Sequence, residues 1–425
     1  GSEMCIRDRG IDPYSSAASL DATAVNMILG GVLTPIYKFS QNIPNYLLTW
    51  EKSYNTNIGI DAAFLNNRID VSMEYYNTKT KDVIWNKALP VINGAFSPDG
   101  GPKANYTTNL NMCETSNKGF ELALNTRNII TKNFTWSSSV TFNHNKEKIT
   151  KLSGGDSDVL NNGDTGYALA LGEAINSYYH YKLDGVWQKG EETDAAVFGA
   201  APGDLKINIP NLVKESDGRF YKIDEETGSA AVDENGNVIY YTSDNKYTPS
   251  DADYQILGHN SPDWSLGFQN NFTWKDFDLS VFVYARYGQM FAYDMLTSYD
   301  PKGIRNFPTY FNYWTENNPS NDFPAANANK GLEQYTGYYA LRYVDGSFIK
   351  IKNITLGYSL PKSILKSAGI EKCRFYATIT NPFVFAKSHL LKDYDPEMNG
   401  SLKYPLTKQF VFGVNAVSYT HLRAH

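Results

Sequence analysis

The chain has 425 residues and a formal charge of −6 at pH 7, with 39 Lys and Arg against 45 Asp and Glu. This acidic balance argues against a nucleic-acid partner, which would need a basic surface. Mean hydropathy is −0.43, and no apolar run approaches the ~18 residues that a transmembrane helix requires. Aromatic residues make up 14% of the chain, and three Cys are too few for a disulfide scaffold.

The two ends of the chain differ in character from the rest. Residues 1–9 read GSEMCIRDR and residues 417–425 read VSYTHLRAH. Both resemble translated sequencing-library adapters, one read in each direction. We therefore interpret 1–9 and 417–425 as adapter-derived artefacts and restrict the fold prediction to residues 10–416. We expect these residues to be an internal or C-terminal part of a longer protein.

Between the ends, apolar and polar residues alternate in segments of about ten, which predicts half-buried β-strands. In Phe277–Tyr287, one face carries no charge and consists of Phe277, Leu279, Val281, Val283 and Ala285. The pattern predicts strands near 55–64, 68–78, 117–127, 133–145, 165–172, 178–188, 263–274, 277–288, 346–359, 372–385 and 408–416.

Short and long connections alternate between these strands. Residues 65–67 and 275–276 form tight turns, whereas the long polar stretches are 79–116, 146–164, 188–260, 289–345 and 386–407. Short turns at one end, long loops at the other and aromatic residues at strand ends are typical of outer-membrane barrels. The prediction is therefore all-β: part of a large antiparallel transmembrane β-barrel, with short periplasmic turns and long extracellular loops. Composition alone leaves a large soluble all-β protein open.

One predicted strand departs from strict alternation. Ile349 and Ile351 share one face, whereas the apolar residues that follow fall in the opposite phase: Ile354, Leu356 and Tyr358. A β-bulge near Lys352 and Asn353 would shift the phase by one residue and restore a common face. A different register is the alternative.

The sequence contains no recognisable catalytic motif, which predicts that the protein is not an enzyme and needs no cofactor. Asp393, Asp395 and Glu397 could bind a cation, but we favour a structural role in their loop. Residues 233–236 lack the spacing of a calcium loop and read as a solvated turn. We therefore predict no metal site.

Several runs, in order along the chain, resemble one family. They are PNYLLTWE at 44–51, NKGFE at 117–121, DGVWQ at 184–188, FDLSVF at 277–282, GSFIKIKNITLGYSLP at 346–361 and DYDPE at 393–397. Together they are similar to the C-terminal barrel of SusC/RagA-type TonB-dependent outer-membrane transporters. The resemblance implies a barrel of about 22 strands around a plug, of which this chain supplies roughly the last half.

The same resemblance implies a function and partners. Such proteins import oligosaccharides or peptides through the outer membrane, together with a SusD-like surface lipoprotein. Energy comes from TonB-ExbB-ExbD, which would act through a part of the protein outside this chain. Aromatic rings stack on sugars, so the aromatic-rich loop 299–343 supplies the predicted ligand contacts: Tyr310, Tyr313, Trp314, Tyr335 and Tyr338. The alternative is that these residues fill the loop's interior or contact the lipoprotein.

Two other functions compete with import. One is a secreted, soluble β-sandwich that binds glycans, and the other is an outer-membrane hydrolase. The absence of a nucleophile–base motif counts against the hydrolase. A barrel differs from a sandwich in that its apolar strand faces contact lipid and not a second sheet.

Overall fold

The computed structural model describes residues 20–39, 42–89, 106–152, 159–161, 167–225, 227–298, 309, 311–365 and 370–418. Its strands are β1 (Leu20–Leu29), β2 (Val32–Phe39), β3 (Asn42–Ile43), β4 (Lys52–Phe64), β5 (Ile69–Ala88), β6 (Thr107–Ile130), β7 (Phe134–Leu152), β8 (Val159–Asn161), β9 (Tyr167–Ala170), β10 (Ser177–His180), β11 (Lys182–Val186), β12 (Leu205–Asn208), β13 (Leu212–Lys214), β14 (Phe220–Lys222), β15 (Tyr240–Tyr241), β16 (Gln255–His259), β17 (Trp264–Trp274), β18 (Phe277–Tyr287), β19 (Met290–Ala292), β20 (Tyr343–Asp345), β21 (Phe348–Ser359), β22 (Ile370–Ala386) and β23 (Gln409–Ser418).

Helical structure in these ranges is sparse, as the all-β prediction requires. The α-helices are α1 (Glu192–Val197) and α2 (Lys362–Leu365). The 3-10 helices are Asp251–Asp253, Asp294–Thr297, Leu332–Gln334, Tyr338–Arg342, His389–Leu391 and Pro396–Met398. Within the described residues, no helix has the length and apolar character needed to cross a bilayer.

Nine strands form one antiparallel sheet, which we call the wall. Their order is β4-β5-β6-β7-β17-β18-β21-β22-β23, and the short β3 pairs with β6 beside this path. Neighbours in the wall follow one another along the chain, so every connection reverses direction. The connections at one end are short, such as 65–68, 131–133 and 275–276, and those at the other end are long. This alternation confirms the predicted arrangement of short turns at one end and long loops at the other.

Two predicted strands, 165–172 and 178–188, were wrongly assigned to the wall. Residues 167–170 and 177–180 instead join a four-stranded sheet, β16-β10-β9-β8, and β11 pairs with β12. These strands have four or five residues, whereas a spanning strand needs ~9–11. In the structure β7 pairs directly with β17. Because the two misassigned strands are both absent from the wall, short turns and long loops still alternate between its two ends.

The sequence pattern also missed strands. The hairpin of β1 and β2 forms a separate two-stranded sheet, joined by Gly30 and Gly31 with φ of 59° and 83°. Strands β5, β6 and β7 also extend further toward the long loops than predicted. Their extensions carry polar residues on both faces, which hides the period-two signal.

One face of the wall is apolar across eight strands. Directly opposite residues on paired strands share a face, and two such rows contain no polar residue. The first is Ile60, Met73, Leu122, Phe142, Leu266, Ala285, Ile349 and Phe385. The second is Ala62, Val71, Leu124, Val140, Phe268, Val283, Ile351 and Phe383. These rows confirm the predicted face assignments.

The apolar face is interrupted by a short polar row, in which Thr126, Ser138 and Asn270 lie directly opposite one another on β6, β7 and β17. Asn270 lies opposite Val281 on this face. Its side-chain oxygen accepts hydrogen bonds from Trp136 Nε1 at 3.0 Å and from Ser138 Oγ at 2.7 Å. Satisfying the amide oxygen within the sheet lowers the free-energy cost of its exposure to an apolar medium.

The predicted bulge is present at Lys352. Phe282 and Val283 on β18 face Asn353 and Ile351, so Lys352 has no opposite residue. The register against β22 also shifts between Ile351 and Asn353, but there β22 carries the extra residue, because the opposite residues Phe383 and Thr380 are three positions apart. The extra residue at Lys352 places the later apolar side chains on the same face as Ile351, opposite apolar residues of β18: Ile354, Leu356 and Tyr358.

Aromatic rows border the apolar face at both ends. The row near the short turns is Phe134, Trp274, Phe277, Tyr358 and Phe375. The other is Tyr75, Phe120, His144, Trp264 and Tyr287. Ten residue steps separate Trp264 from Trp274, or roughly 33 Å of strand at ~3.3 Å per residue. A tilt of about 40° projects this to about 25 Å, the height of the apolar band of an outer-membrane barrel.

The opposite face of the wall is polar. One row across five strands consists of Glu74, Glu121, Asn143, Ser265 and Arg286. Asn143 Nδ2 donates to Glu121 Oε1 at 2.9 Å. Near the short-turn end, Arg374 holds Asp278 with two hydrogen bonds of 2.8 and 2.5 Å. One face of the wall therefore suits an apolar medium, and the other face suits water.

Candidate functional site: a platform of three long loops

Three long loops meet at one end of the wall and form one body, which we call the loop platform. They are the described parts of residues 153–263, 288–347 and 387–408. One buried cluster joins the second and third loops: Phe291, Tyr293, Leu296, Phe311, Phe323, Val344 and Leu391. Another joins the first and second: Val186, Leu205, Trp314, Tyr335 and Tyr338. Because each cluster takes side chains from two loops, separating the loops would expose apolar surface to water.

Polar ties reinforce the contact between the first and second loops. Gln188 Nε2 donates to Val186 O at 2.7 Å and to Asn321 Oδ1 at 3.0 Å. Its Oε1 accepts from Trp314 Nε1 at 2.9 Å. Gln188 ends the DGVWQ run, so this part of the family resemblance corresponds to a junction between loops.

The third loop is tied to both of the others. His389 Nε2 lies 2.9 Å from Asp322 Oδ1 in the second loop. Asn399 Nδ2 donates to Asn260 Oδ1, in the first loop, at 2.8 Å. These contacts and the shared apolar cluster make the platform continuous across all three loops.

A cluster of four charges connects the third loop to the wall. Lys350, on the polar face of β21, is 0% exposed, and its Nζ lies 2.5 Å from Asp395 Oδ2 and 2.8 Å from Glu397 Oε2. Lys352 Nζ lies 2.6 Å from Glu397 Oε1. Burial would raise the pKa of Glu397, but hydrogen bonds from the two lysines outweigh burial and lower that pKa below its usual range. Asp395 and Glu397 of the DYDPE run therefore neutralise lysines, the structural role that we favoured.

The predicted ligand-contact residues fall into different environments. Trp314, Tyr335 and Tyr338 are 7%, 4% and 2% exposed and belong to the apolar cluster between the first two loops. Tyr313 is 40% exposed at the platform surface. Tyr310 lies outside the described residues. The structure thus joins three of the five in one core and leaves Tyr313 facing outward, while ligand contact by any of them stays a prediction.

The exposed Tyr313 lies beside a tight polar turn. Thr315 and Asn318 close the turn with backbone hydrogen bonds of 3.0 Å in both directions. Asn318 Nδ2 donates to Asn312 Oδ1 and to Tyr313 O, both at 2.9 Å. An outward aromatic ring beside fixed amide groups offers stacking and hydrogen bonding in one place, which suits sugars and peptides alike.

Sequence reasoning missed a dense aromatic cluster around His180. Its imidazole stacks on Tyr254 at 4.9 Å between ring centroids, with rings 14° apart. Tyr181 lies edge-on to Tyr254 at 4.7 Å, and Tyr343 is 5.7 Å from His180. Burial, followed by the nearby charge of Arg342, lowers the pKa of His180 to about 4. The available signal was the SYYHY run at 177–181, although its partners at 254 and 343 are distant in sequence.

Within the described ranges, no group of three or more His, Cys, Asp or Glu side chains could hold a metal ion. Asp233, in the run that we compared with calcium loops, accepts backbone N–H groups from Asn235 and Asn237, each at 2.9 Å. This carboxylate shapes a local turn.

Comparisons with known proteins agree with this architecture. The family model described as "TonB dependent receptor-like, beta-barrel" matches residues 17–194. TonB-dependent receptor P3 of Formosa agariphila is 28% identical over 95% of this chain and 38% of its own length. TonB-dependent receptor SusC of Bacteroides thetaiotaomicron is 27% identical over 87% of this chain and 32% of its own. The chain therefore spans less than two fifths of the length of these curated relatives.

A solved structure of the RagAB peptide transporter matches with a TM-score of 0.68 and 24% identity, covering 97% of this chain and 39% of that chain. This likeness supports the fold: an antiparallel transmembrane β-barrel, present in part, with short turns at the periplasmic end and long loops at the extracellular end. The apolar face of the wall is then the lipid-facing side, and the polar face lines the lumen. From its strand order, its loops and these similarities, the chain resembles the β-barrels of TonB-dependent receptors, with SusC among its relatives.

Proposed function

We propose that the protein to which this chain belongs imports oligosaccharides or peptides across the outer membrane, driven by TonB-ExbB-ExbD. The observation that carries the proposal is the pair of apolar rows bordered by aromatic residues. In these rows Ile60, Ile349 and Phe385 are 58%, 53% and 60% exposed. Fully burying such a side chain stabilises by about 1.5–3 kcal/mol, so the exposure of these large apolar side chains favours hydrocarbon as their surroundings.

The polar face of the wall and the loop platform support the proposal that the protein imports cargo through the membrane. A lumen lined by carboxylates, amides and guanidinium groups accommodates hydrated cargo. The loop platform at the extracellular end is the surface that cargo would meet first, and Tyr313 is its predicted aromatic contact. A SusD-like surface lipoprotein is the proposed partner, seated on this platform.

The competing functions receive less support. A soluble glycan-binding β-sandwich would pack its apolar strand faces against a second sheet, whereas the wall's rows keep large apolar side chains such as Ile60, Ile349 and Phe385 more than half exposed. The relatives described above carry the names of receptors and transporters, which favours import over hydrolysis. Peptide and oligosaccharide cargo are both retained, because no described contact separates them.

The test uses the full-length gene in its native host. We expect its deletion to abolish growth on at least one member of a panel of oligosaccharides and defined peptides. The full-length gene should restore that growth only in cells with intact TonB. The protein should fractionate with outer membranes and require detergent for extraction. Recovery in the soluble fraction without detergent, or TonB-independent growth on every panel member, would contradict the proposal.

A further inference from the structure

The third loop begins with a segment that folds back over the lumen side of the wall; we call residues 387–400 the strap. Its Leu391 is 1% exposed within the apolar cluster of the platform. The Tyr394 ring lies 4.3 Å from the ring of Tyr293. At the far end, Gly400 adopts a φ of +82°, and a Cβ there would lie 2.1 Å from Ala292 O. The strap therefore contacts β19 at Ala292 and the residue that follows this strand, Tyr293.

The four-charge cluster fixes the middle of the strap to the mouth of the barrel. Lys350 lies near the extracellular start of β21, opposite Tyr284 on the lumen side. Lys350 has no exposure to water, so Asp395 and Glu397 are the groups that compensate its charge. Glu397 touches both lysines, and the cluster contains two positive and two negative groups. Removing one partner would leave a buried charge uncompensated, which is strongly unfavourable.

The bulge explains how β21 can supply both lysines. Strict alternation would place residues 350, 352 and 354 on one face, and Ile354 would then point into the lumen. The extra residue at Lys352 lets Lys350 and Lys352 reach the strap while Ile354 remains opposite Val281 on the lipid face. The Lys352 ammonium also lies 5.2 Å from the ring centre of Tyr284, a cation–π contact that holds it toward the lumen.

We propose that Lys350, Lys352, Asp395 and Glu397 form a lock that holds the strap as a fixed part of the barrel mouth. The strap then narrows the extracellular entrance and couples the loop platform to the wall. In this arrangement the strap is not a freely moving gate. It leaves the wall only when the lock is broken. The inference concerns the conformation of the loop and is independent of the cargo.

The test is hydrogen exchange, read by mass spectrometry, on the full-length protein in detergent. Glu397→Gln removes the charge shared by both lysines and preserves side-chain size. We expect exchange in peptides covering 389–400 to rise at least about tenfold, because the strap opens locally. Exchange in β17 and β18 should stay unchanged. Glu316→Gln is the matched control, since it removes a carboxylate from an exposed platform pair, Lys189–Glu316 at 3.0 Å.

A second variant covers the case in which Glu397→Gln does not assemble. Lys352→Met breaks the pair with Glu397, in which the lysine side chain is 30% exposed, and the cation–π contact with Tyr284, but it leaves both ion pairs of Lys350 in place. It should raise strap exchange by a smaller factor in the same peptides. Strap exchange within twofold of the parent in the assembled variants would overturn the lock. An equal rise throughout the barrel, or the same rise in Glu316→Gln, would also overturn it.

Discussion

The ring of Tyr76 covers Gly119 on the neighbouring strand, so closely that a Cβ at residue 119 would lie 2.2 Å from Tyr76 Cζ. The two residues are directly opposite on the lumen side of β5 and β6. Crossing the glycine allows the Tyr76 hydroxyl to donate to Asn145 Oδ1 on the next strand at 2.8 Å. Tyr376 covers Gly413 in the same way near the other edge of the wall, with a corresponding distance of 2.3 Å. An aromatic ring that covers a glycine fills the space of the missing side chain and helps to fix the register of the paired strands.

Gly119→Ala should destabilise the wall. The new methyl would displace the Tyr76 ring and weaken its hydrogen bond to Asn145, an overpacking cost of about 1–3 kcal/mol. Gly59→Ala on β4 is the matched control, because a Cβ there meets only Met73 O at 3.7 Å. Thermal unfolding in detergent would measure both. Equal melting temperatures for the two variants would show that the Tyr76–Gly119 contact has no energetic role.

Val281→Arg should impair membrane assembly. Val281 lies on the lipid face of β18, between Asn270 and Ile354. An arginine facing lipid near the midplane costs roughly 2–4 kcal/mol. Ser280→Arg, one residue away on the lumen face, is the control. The amounts in outer-membrane fractions should fall for the first variant and change much less for the second. Insertion of Val281→Arg at the parental level would mean that the faces are assigned the wrong way round.

The loop platform should lose stability in acid through His180. Its Nδ1 accepts the backbone N–H of Tyr181 at 2.9 Å, a bond that requires an unprotonated nitrogen. The folded pKa of about 4 lies below the ordinary value of 6.5. The unfolded chain therefore binds the proton first, and the free energy of unfolding falls as pH drops from about 6.5 to 4.

His180→Phe tests this origin. The variant keeps a ring to stack on Tyr254 but cannot titrate. We expect a lower melting temperature at pH 8, because the Tyr181 N–H loses its acceptor, and a shallower decline between pH 6.5 and 4. Melting scans of the full-length protein across this range would measure both effects. A decline as steep as in the parent would assign the acid sensitivity to other groups.

Tyr313 and Trp314 should behave differently despite being adjacent. Trp314→Ala removes a buried ring and its hydrogen bond to Gln188, at a cost of about 3–5 kcal/mol in platform stability. Tyr313→Ala should leave the melting temperature within a degree or two. It should weaken binding of a panel oligosaccharide or peptide by about fivefold or more. Calorimetric binding and thermal melting on the same preparations separate the two effects. Unchanged binding by Tyr313→Ala would remove Tyr313 from the ligand surface.

The wall was predictable because a membrane requires every strand to alternate apolar residues that face lipid with polar residues that face the lumen. Val71, Phe268 and Val283 are lipid-facing positions of this pattern on three different strands. Because the pattern is so regular, even the bulge at Lys352 could be located from a break in its phase. The hairpin of β1 and β2 had a usable signal in Gly30-Gly31, a pair suited to two-residue turns. Alternation failed as a guide at 165–172 and 178–188, because short soluble strands share the same period.

The platform was much less predictable. The aromatic richness of loop 299–343 was visible, but not which rings would be buried. Trp314 is buried because Val186 and Gln188, more than a hundred residues earlier, come against it. The pairing of Lys350 with Asp395 likewise depends on where a loop returns to the sheet. Such long-range contacts leave no local period in the sequence.

The extra residue at position 352 bears on how this sheet can change its length. Losing that single residue would turn Ile354, Leu356 and Tyr358 toward water and send their polar neighbours into lipid. Within the spanning strands, an insertion or deletion of two residues therefore keeps the alternation in phase, and a single residue is tolerated only where a β-bulge accommodates it. The external loops can change length by any number of residues. Differences in length among such barrels should accordingly lie in the loops, while the strands that span the hydrocarbon keep their alternation in phase.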